Sequence, residues 1–352
     1  MTLPTLALPI WAELTRGWSF VCGLPDGGMV VRDLAAERIL LLGPGLEPTT
    51  TVAVPGLRAV APDGIAVSPE AGLVAVAADD GLRVLDLAGV QRYRLTHPRW
   101  RMGGACAWTS GGSLLWTVTP TEVPGTVRVV AIDPTRWAPA GMVTVSAPST
   151  NHACYAIVPD PLADRVGVLV LLADSDGAFL SWPRWDGATV VTGEPGPDAL
   201  LTDVRGDGRE YVAVLGGHPS ELITVDLATQ APTGRLTMSA AAEADDTDDA
   251  WYFDAFYLAG GHLAAFTREE HLLLISSDPL RPVAELRLEG YRFAPFDGYA
   301  TDTPQIAGPH LSGVRRWTDT RLAAMHSDAG TTVTRLYDLG DVAKSLGRID
   351  SC

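Results

Sequence analysis

The sequence predicts an all-β protein, a seven-bladed β-propeller with four antiparallel strands in each blade. Short apolar runs separated by turn residues fill the whole chain, and an Asp-containing motif returns about every 50 residues. A repeat of this length cannot bury its apolar face alone, so repeats of this kind stack around a common axis. The aspartate of the motif is found at Asp33, Asp86, Asp133, Asp226, Asp278 and Asp338, with a weaker copy at Asp186.

The second repeat shows the strand pattern most clearly. Its apolar runs are four to five residues long and are bounded by Gly, Pro and Asp, which is typical of strands. The run Asp79-Asp80-Gly81 is typical of a hairpin turn, because glycine tolerates positive φ and aspartate bonds to its own backbone. The four predicted strands of this repeat span 65–68, 73–77, 82–85 and 92–95.

The remaining repeats follow the same plan, so one domain over residues 1–352 accounts for the chain. Further strands are predicted at 19–23, 29–32, 105–109, 114–118, 126–132, 166–172, 178–182, 199–203, 211–215, 221–225, 251–258, 262–266, 271–275, 311–315, 322–326 and 331–337. The predicted blades cover roughly 9–43, 64–96, 104–146, 152–193, 198–239, 250–289 and 310–352. Either residues 1–8 or residues 342–349 are expected to supply the outer strand that closes the ring.

The repeated aspartate is predicted to end the third strand of each blade, where its carboxylate can accept turn amide protons. It stands where WD-repeat proteins carry their Trp-Asp dipeptide, although tryptophan does not precede it in any of the six clearer copies. With runs such as SPEAGLVAVAADDGLRVLDLAG, the chain resembles degenerate WD-repeat-like or YVTN-type bacterial β-propellers. The resemblance implies a fold and does not specify an activity.

Charge and composition exclude several classes of function. A net charge of −16 opposes binding to nucleic acid or to an anionic membrane. Lys344 is the only lysine, which argues against Schiff-base chemistry, and the four cysteines show no CxxC spacing for zinc. We expect no metal and no cofactor. With no apolar run of 18 residues and no convincing secretory signal, a cytoplasmic and monomeric protein is expected.

Each blade begins with a first strand reached through a leading segment from the preceding blade, and two of these segments are long. Residues 239–250 are acidic and residues 289–310 are aromatic. Long connections often carry function, so we predict an acidic, aromatic lip for a protein or peptide partner, basic in character. The alternative is a solvated acidic insertion with its aromatics packed into the blade. The predicted binding residues are Asp245, Asp246, Asp248, Asp249, Trp251, Tyr252, Tyr291, Phe293, Phe296, Tyr299 and His152.

The leading hypothesis is therefore a non-catalytic scaffold, and no catalytic residue is assigned. One alternative is a hydrolase- or lyase-type enzyme with a site near His152 and Cys154, close to Cys106. Another is a propeller that binds carbohydrate or a small molecule. The run TDVRGDGREYVAV resembles the calcium loop of FG-GAP propellers, but Arg205 stands at a ligand position, which favours a simple turn between strands.

Overall fold

Eight β-sheets form seven blades around one axis in the computed structural model, with two of the sheets in one blade, which confirms the predicted seven-bladed propeller with blades of four antiparallel strands. The structure describes residues 3–100, 104–146, 153–162, 166–174, 177–193, 195–215, 221–237, 252–267, 271–291 and 311–340.

The first three blades each hold four consecutive strands in antiparallel order. The first strand of each blade is short and apolar, as expected for a strand that packs against its neighbours around the axis. Blade 1 contains β3 (Trp18–Gly23), β4 (Met29–Asp33), β5 (Arg38–Leu42) and β6 (Pro48–Ala53); blade 2 contains β7 (Ile65–Ser68), β8 (Leu73–Ala78), β9 (Gly81–Asp86) and β10 (Gln91–Thr96); blade 3 contains β11 (Cys106–Trp108), β12 (Leu115–Pro120), β13 (Thr126–Asp133) and β14 (Ala138–Ser146).

In blade 4 the third strand is broken into two pieces, and only the second piece pairs with the outer strand. The break falls at Trp182, next to a proline that cannot donate to a strand ladder. Blade 4 contains β15 (Ala153–Pro159), β16 (Val168–Asp174), β17 (Gly177–Ser181), β18 (Pro183–Trp185) and β19 (Val190–Thr192); blade 5 contains β20 (Leu200–Val204), β21 (Glu210–Leu215), β22 (Glu221–Asp226) and β23 (Pro232–Thr237).

The last two blades are completed by the N-terminal segment. Blade 6 contains β24 (Tyr252–Tyr257), β25 (Leu263–Thr267), β26 (Leu272–Ser277) and β27 (Leu280–Leu288), and blade 7 contains β28 (Leu311–Thr318), β29 (Arg321–Asp328) and β30 (Thr331–Asp338). β2 (Ile10–Glu13) pairs antiparallel with β30 as the fourth strand of blade 7, while β1 (Thr5–Leu8) pairs parallel with β27 as a fifth strand of blade 6.

This closure differs from the sequence-based expectation. An N-terminal strand does close the ring, but residues 10–13 supply it rather than residues 1–8. The chain passes from blade 6 to blade 7 at Pro9. Proline has no backbone N–H to donate, which suits a residue that lies between two strands and belongs to the hydrogen-bond ladder of neither sheet. The first blade consequently runs from Trp18 to Ala53, whereas we had expected residues 9–43. Residues 342–349 lie outside the described residues.

The repeated aspartate has its predicted turn chemistry at several blades. Asp86 accepts hydrogen bonds from the backbone N–H groups of Ala88 and Val90, at 3.0 and 2.9 Å, and ends the third strand of its blade. The prediction that Asp33 also ends a third strand is wrong, because β4 is the second strand of blade 1. The same Asp turn joins β4 to β5, so the motif marks a tight hairpin rather than one fixed strand number.

Apolar side chains between adjacent blades form the core. Between blades 6 and 7, for example, Phe256, Leu274, Val314 and Tyr337 pack together with at most 5% of their surface exposed. Such clusters lie along the blade-to-blade contacts, so each blade depends on its neighbours for burial. Because these clusters between the blades are apolar, polar groups that could act on a ligand lie along the axis and in the loops.

Candidate functional site

The first strands of adjacent blades contact one another and line the axis of the disc, as β24, β28 and β3 do. A cavity of about 290 Å³ lies among them, with walls from blades 6, 7 and 1. Its lining comes from the starts of first and third strands and the ends of second strands. The cavity therefore opens toward the face where the leading segments arrive, which we call the leading face. Its polar lining residues are Ser19, Arg32, Asp254, Arg315 and Thr332.

Two guanidinium groups meet at this cavity. Arg315 of β28 makes an ion pair with Asp63, which directly precedes blade 2, at 3.3 Å between Nη1 and Oδ1. Because blade 1 separates blades 7 and 2, this contact reaches across the mouth of the channel. Arg32, at the end of β4, donates from Nη1 to the Val60 carbonyl at 2.8 Å. Burial, followed by the positive charge of Arg315, lowers the pKa of Arg32.

Arg32 also carries a buried donor that stands out. Its Nε–H is buried and has no acceptor within the described part of the chain. An unsatisfied buried donor on a charged group is costly, and in native proteins such groups are few. Arg32 lines the cavity, and its Nη2, which is not buried like Nε and has no acceptor in the described structure, is the donor that a ligand in the cavity can reach.

Asp254 of β24 supplies the carboxyl group of the cavity. Burial raises the pKa of Asp254 to about 7, against the opposing effects of Arg315 and of the Ala255 backbone N–H, which donates to Oδ1 at 2.9 Å. The negative charges of Asp203 and Asp63 add to the rise in pKa. Near neutral pH this carboxyl therefore exists in both protonation states.

A second polar cluster lies farther along the channel, toward the opposite face. Asp203 of β20 pairs with Arg316 at 3.1 Å and accepts the Tyr257 backbone N–H at 2.9 Å. Arg316 also donates to the Tyr257 carbonyl at 3.3 Å. Burial raises the pKa of Asp203, and the charge of Arg316 opposes that rise. The cluster ties blades 5, 6 and 7 together, which is a structural role.

The loop that resembles a calcium site is a turn between β20 and β21. Arg205 holds Asp207 through two hydrogen bonds of 2.8 and 2.7 Å and also pairs with Glu210 at 2.7 Å. A guanidinium thus occupies the carboxylates that a calcium ion would need. Among the described residues, no group of three His, Cys, Asp or Glu side chains is arranged to hold a metal ion.

Most of the predicted lip lies outside the described residues. Tyr252 begins β24, but its side chain is not described. Tyr291 is buried between blades 6 and 7, with its hydroxyl 2.8 Å from His326 Nδ1 and its ring under the guanidinium of Arg335. It anchors the start of the aromatic leading segment. The lip residues outside the described part are His152, Asp245, Asp246, Asp248, Asp249, Trp251, Phe293, Phe296 and Tyr299.

The alternative enzymatic site receives no support from Cys106. This thiol is buried, its Sγ lies 3.5 Å from the Gly64 carbonyl, and burial raises its pKa to about 12. A thiol that stays protonated at neutral pH is a poor nucleophile. Cys154 lies in β15, but its side chain, like His152, is outside the described residues.

Sequence reasoning did not single out Arg32, Asp63 or Arg315, and it treated Asp254 as part of the acidic segment. The available signal was a charged residue inside or next to a first strand that is otherwise apolar. Asp254 breaks such a strand in blade 6, and Arg315 lies in the first strand of blade 7, which also carries Ser312, Arg316 and Thr318. A charge in a channel-lining strand is costly to bury without a partner or a ligand, which makes it informative.

Comparisons with known proteins place the chain among propellers at the level of fold. The β-propeller domain of Cps50 (Swd1) from Myceliophteria thermophila is 12% identical with a TM-score of 0.57, covering 94% of this chain and 98% of that one. The WD40 repeats of RRP9 are 10% identical, with a TM-score of 0.56 and coverage of 94% and 99%. The Dos1 propeller is 13% identical, with a TM-score of 0.53 and coverage of 95% of each chain.

No family model and no curated protein matches the sequence. The structural neighbours confirm the WD-repeat-like resemblance as one of fold. In the part of the chain that the structure describes, no helix is both long and apolar enough to cross a bilayer.

Proposed function

We propose that the protein is a non-catalytic scaffold that binds a protein or peptide partner on its leading face. The observation that carries the proposal is the cavity at the channel mouth, whose walls come from blades 6, 7 and 1. Blades 6 and 7 are the two that follow the longest leading segments in the sequence. A concave centre and long surrounding loops on one face are features of a binding surface.

The charge of the chain indicates the chemistry of the partner. The net charge is −16, and residues 239–250 contribute a dense acidic run. Such a field speeds the approach of a basic partner and disfavours an acidic one. The resemblance to WD40 propellers agrees with a scaffold, although a fold alone does not specify function. The proposed contacts are Asp245, Asp246, Asp248, Asp249, Trp251, Tyr252, Phe293, Phe296, Tyr299 and His152, with Tyr291 at the base of the aromatic segment.

The test compares partner capture by the wild type and by a D245N/D246N/D248N/D249N variant, using extracts of the native host. Each charge at an interface rim contributes a few tenths of a kcal/mol, so four together should weaken capture about ten-fold. The matched control is D26N/E47Q/E70Q/D319N, which removes four negative charges from exposed side chains in turns at the face opposite the leading face.

The control should recover the partner as well as the wild type does. Equal recovery by all three proteins would remove the acidic segment from the binding surface. A comparable loss of partner capture with both quadruple variants would show that the net charge, and not the acidic segment, causes the effect.

A further inference from the structure

We propose that the cavity at the channel mouth is a binding site for a small monocarboxylate with an apolar tail. The site combines two guanidinium groups from adjacent blades with an apolar wall in one cavity that opens toward the leading face. The cavity lies on the face proposed for the protein partner, but the residues that would hold the acid differ from those proposed to contact the partner, and the test of the acid does not depend on that partner.

The unsatisfied donor of Arg32 points to an oxyanion. Only Nη1 of Arg32 has an acceptor in the described structure, the Val60 carbonyl, while Nε–H is buried without one. A carboxylate matches the planar fork of a guanidinium and would accept a charge-assisted hydrogen bond from Nη2, which is accessible and has no acceptor in the described structure. Arg315 adds a second guanidinium that is partly exposed to the cavity, with one ion pair, to Asp63, in the described structure.

The charges of the residues that line the site indicate a ligand with a single negative charge. Arg32 and Arg315 bring two positive charges, and Asp63 neutralises one of them. With Asp254 protonated, the remaining charge is about +1, which a monoanion balances. A dianion such as phosphate would leave excess negative charge beside two aspartates. A protonated Asp254 can also donate a hydrogen bond to the ligand's carboxylate.

The size and lining of the cavity indicate the rest of the ligand. A volume of about 290 Å³ is at the lower end of the range for small-molecule sites. Phe20, Phe266, Val314 and Met325 supply the apolar part of the wall. An acid with a short aliphatic or aromatic tail fits this combination better than a sugar, which needs hydrogen-bonding groups on every side.

Asp254 gives the proposed site a pH dependence. The charged groups that act on it are Arg315 from β28, Asp203 from β20 and Asp63 before β7, and Arg32 lies in the same cavity wall. Ionisation of Asp254 places a negative charge beside the ligand. The affinity for a carboxylate should therefore fall as the pH rises through about 7.

The experiment is a calorimetric titration of the full chain with butyrate and with benzoate, at pH 6 and at pH 8. Butyramide and benzamide serve as uncharged controls, and inorganic phosphate at pH 8, where it is mostly a dianion, serves as the dianion control. Saturable binding of the acids and not of the amides is expected. R315Q should weaken acid binding about ten-fold, because it removes a charge-assisted contact.

Two matched variants complete the design. R83Q removes an equivalent charge from a guanidinium that bonds to the Pro55 carbonyl and does not line the cavity, so it should bind like the wild type. D254N fixes the neutral state, so its affinity should be the same at both pH values. Circular dichroism melting verifies that each variant is folded.

Three outcomes would overturn the proposal. The first is equal binding of acids and amides, or saturable binding of neither. The second is identical acid affinity in R315Q and R83Q, and the third is tighter binding of phosphate than of either acid.

Discussion

The pKa values of two aspartates in this protein are shifted in opposite directions because the surroundings of the two carboxyl groups differ. At Asp226, the backbone N–H and the hydroxyl of Thr229 each donate at 2.8 Å and hold the pKa of the carboxyl below its usual range. At Asp254, burial raises the pKa to about 7. The first carboxylate is built into a turn and stabilises the folded chain. The second faces a cavity, where its charge state can control binding.

Replacing the turn aspartate should destabilise the protein in a pH-dependent way. Asp226→Ala removes two hydrogen bonds and should lower the free energy of unfolding by about 1 kcal/mol at pH 7. The pKa of Asp226 in the fold lies below its unfolded value of 3.8, so its stabilisation is complete above that value and is lost as the pH falls through the folded pKa. Urea unfolding at pH 7 and at pH 3 measures both effects.

The difference in free energy of unfolding between the wild type and Asp226→Ala should be smaller at the lower pH. Asp226→Asn, which keeps one acceptor oxygen, should lose less at pH 7. A deficit that is unchanged between the two pH values would show that the carboxylate charge contributes nothing to this turn.

The sequence predicted the turn chemistry but not the cavity. An Asp followed by a tight turn is a local pattern, so it can be identified without the fold, although it could not show that Asp33 follows a second strand. Arg32 and Arg315 are far apart in the chain, and they meet only because blade 7 is adjacent to blade 1. Residues this far apart in the chain come together only when the ring closes, and no local sequence pattern predicts which blades become neighbours on closure.

The N-terminal segment connects blades 6 and 7 as a two-part clasp. β1 extends blade 6, β2 completes blade 7, and Glu289 links them by accepting the Ile10 backbone N–H at 3.0 Å. Leu8 and Leu14 are buried in the core at 2% and 5% exposure. The last blade thus depends on the first residues of the chain for its outer strand, which couples the two ends of the repeat array.

Stepwise deletion should separate the two parts of the clasp. Removing residues 1–9 eliminates β1 alone, whereas removing residues 1–14 also eliminates β2 and Leu14. Each lost leucine costs about 2 kcal/mol of burial, so the longer deletion should lower the Tm by roughly 5–10 °C and the shorter one by about half as much. Thermal unfolding followed by circular dichroism gives both values.

Deletion of residues 342–352 is the matched control at the other end of the chain, and it should leave the Tm close to that of the wild type. A large loss from this deletion together with none from the longer N-terminal deletion would assign ring closure to the C-terminus.

The disc as a whole presents two kinds of surface. Its outer edge carries scattered exposed apolar side chains, among them Val90 and Met142, and these do not need a special explanation. Its leading face holds the cavity, and the two longest connections of the chain join strands whose adjoining ends lie at this face. The repeat predicted the propeller because the length of the repeat and its pattern of apolar residues determine how the blades stack. The unequal lengths of the connections between repeats pointed to the face that we propose for binding.

Site-specific photo-crosslinking tests this central proposal most directly. A photoreactive residue is placed at Asp248 or Phe296 in the two long leading segments, and at Val90 or Met142 on the outer edge, where the side chains are 53% and 46% exposed. After irradiation in cells of the native host, we expect one discrete adduct from both leading-segment positions and none from the edge. An adduct that forms from the edge positions and is absent from both leading segments would overturn the proposal that the partner binds on the leading face.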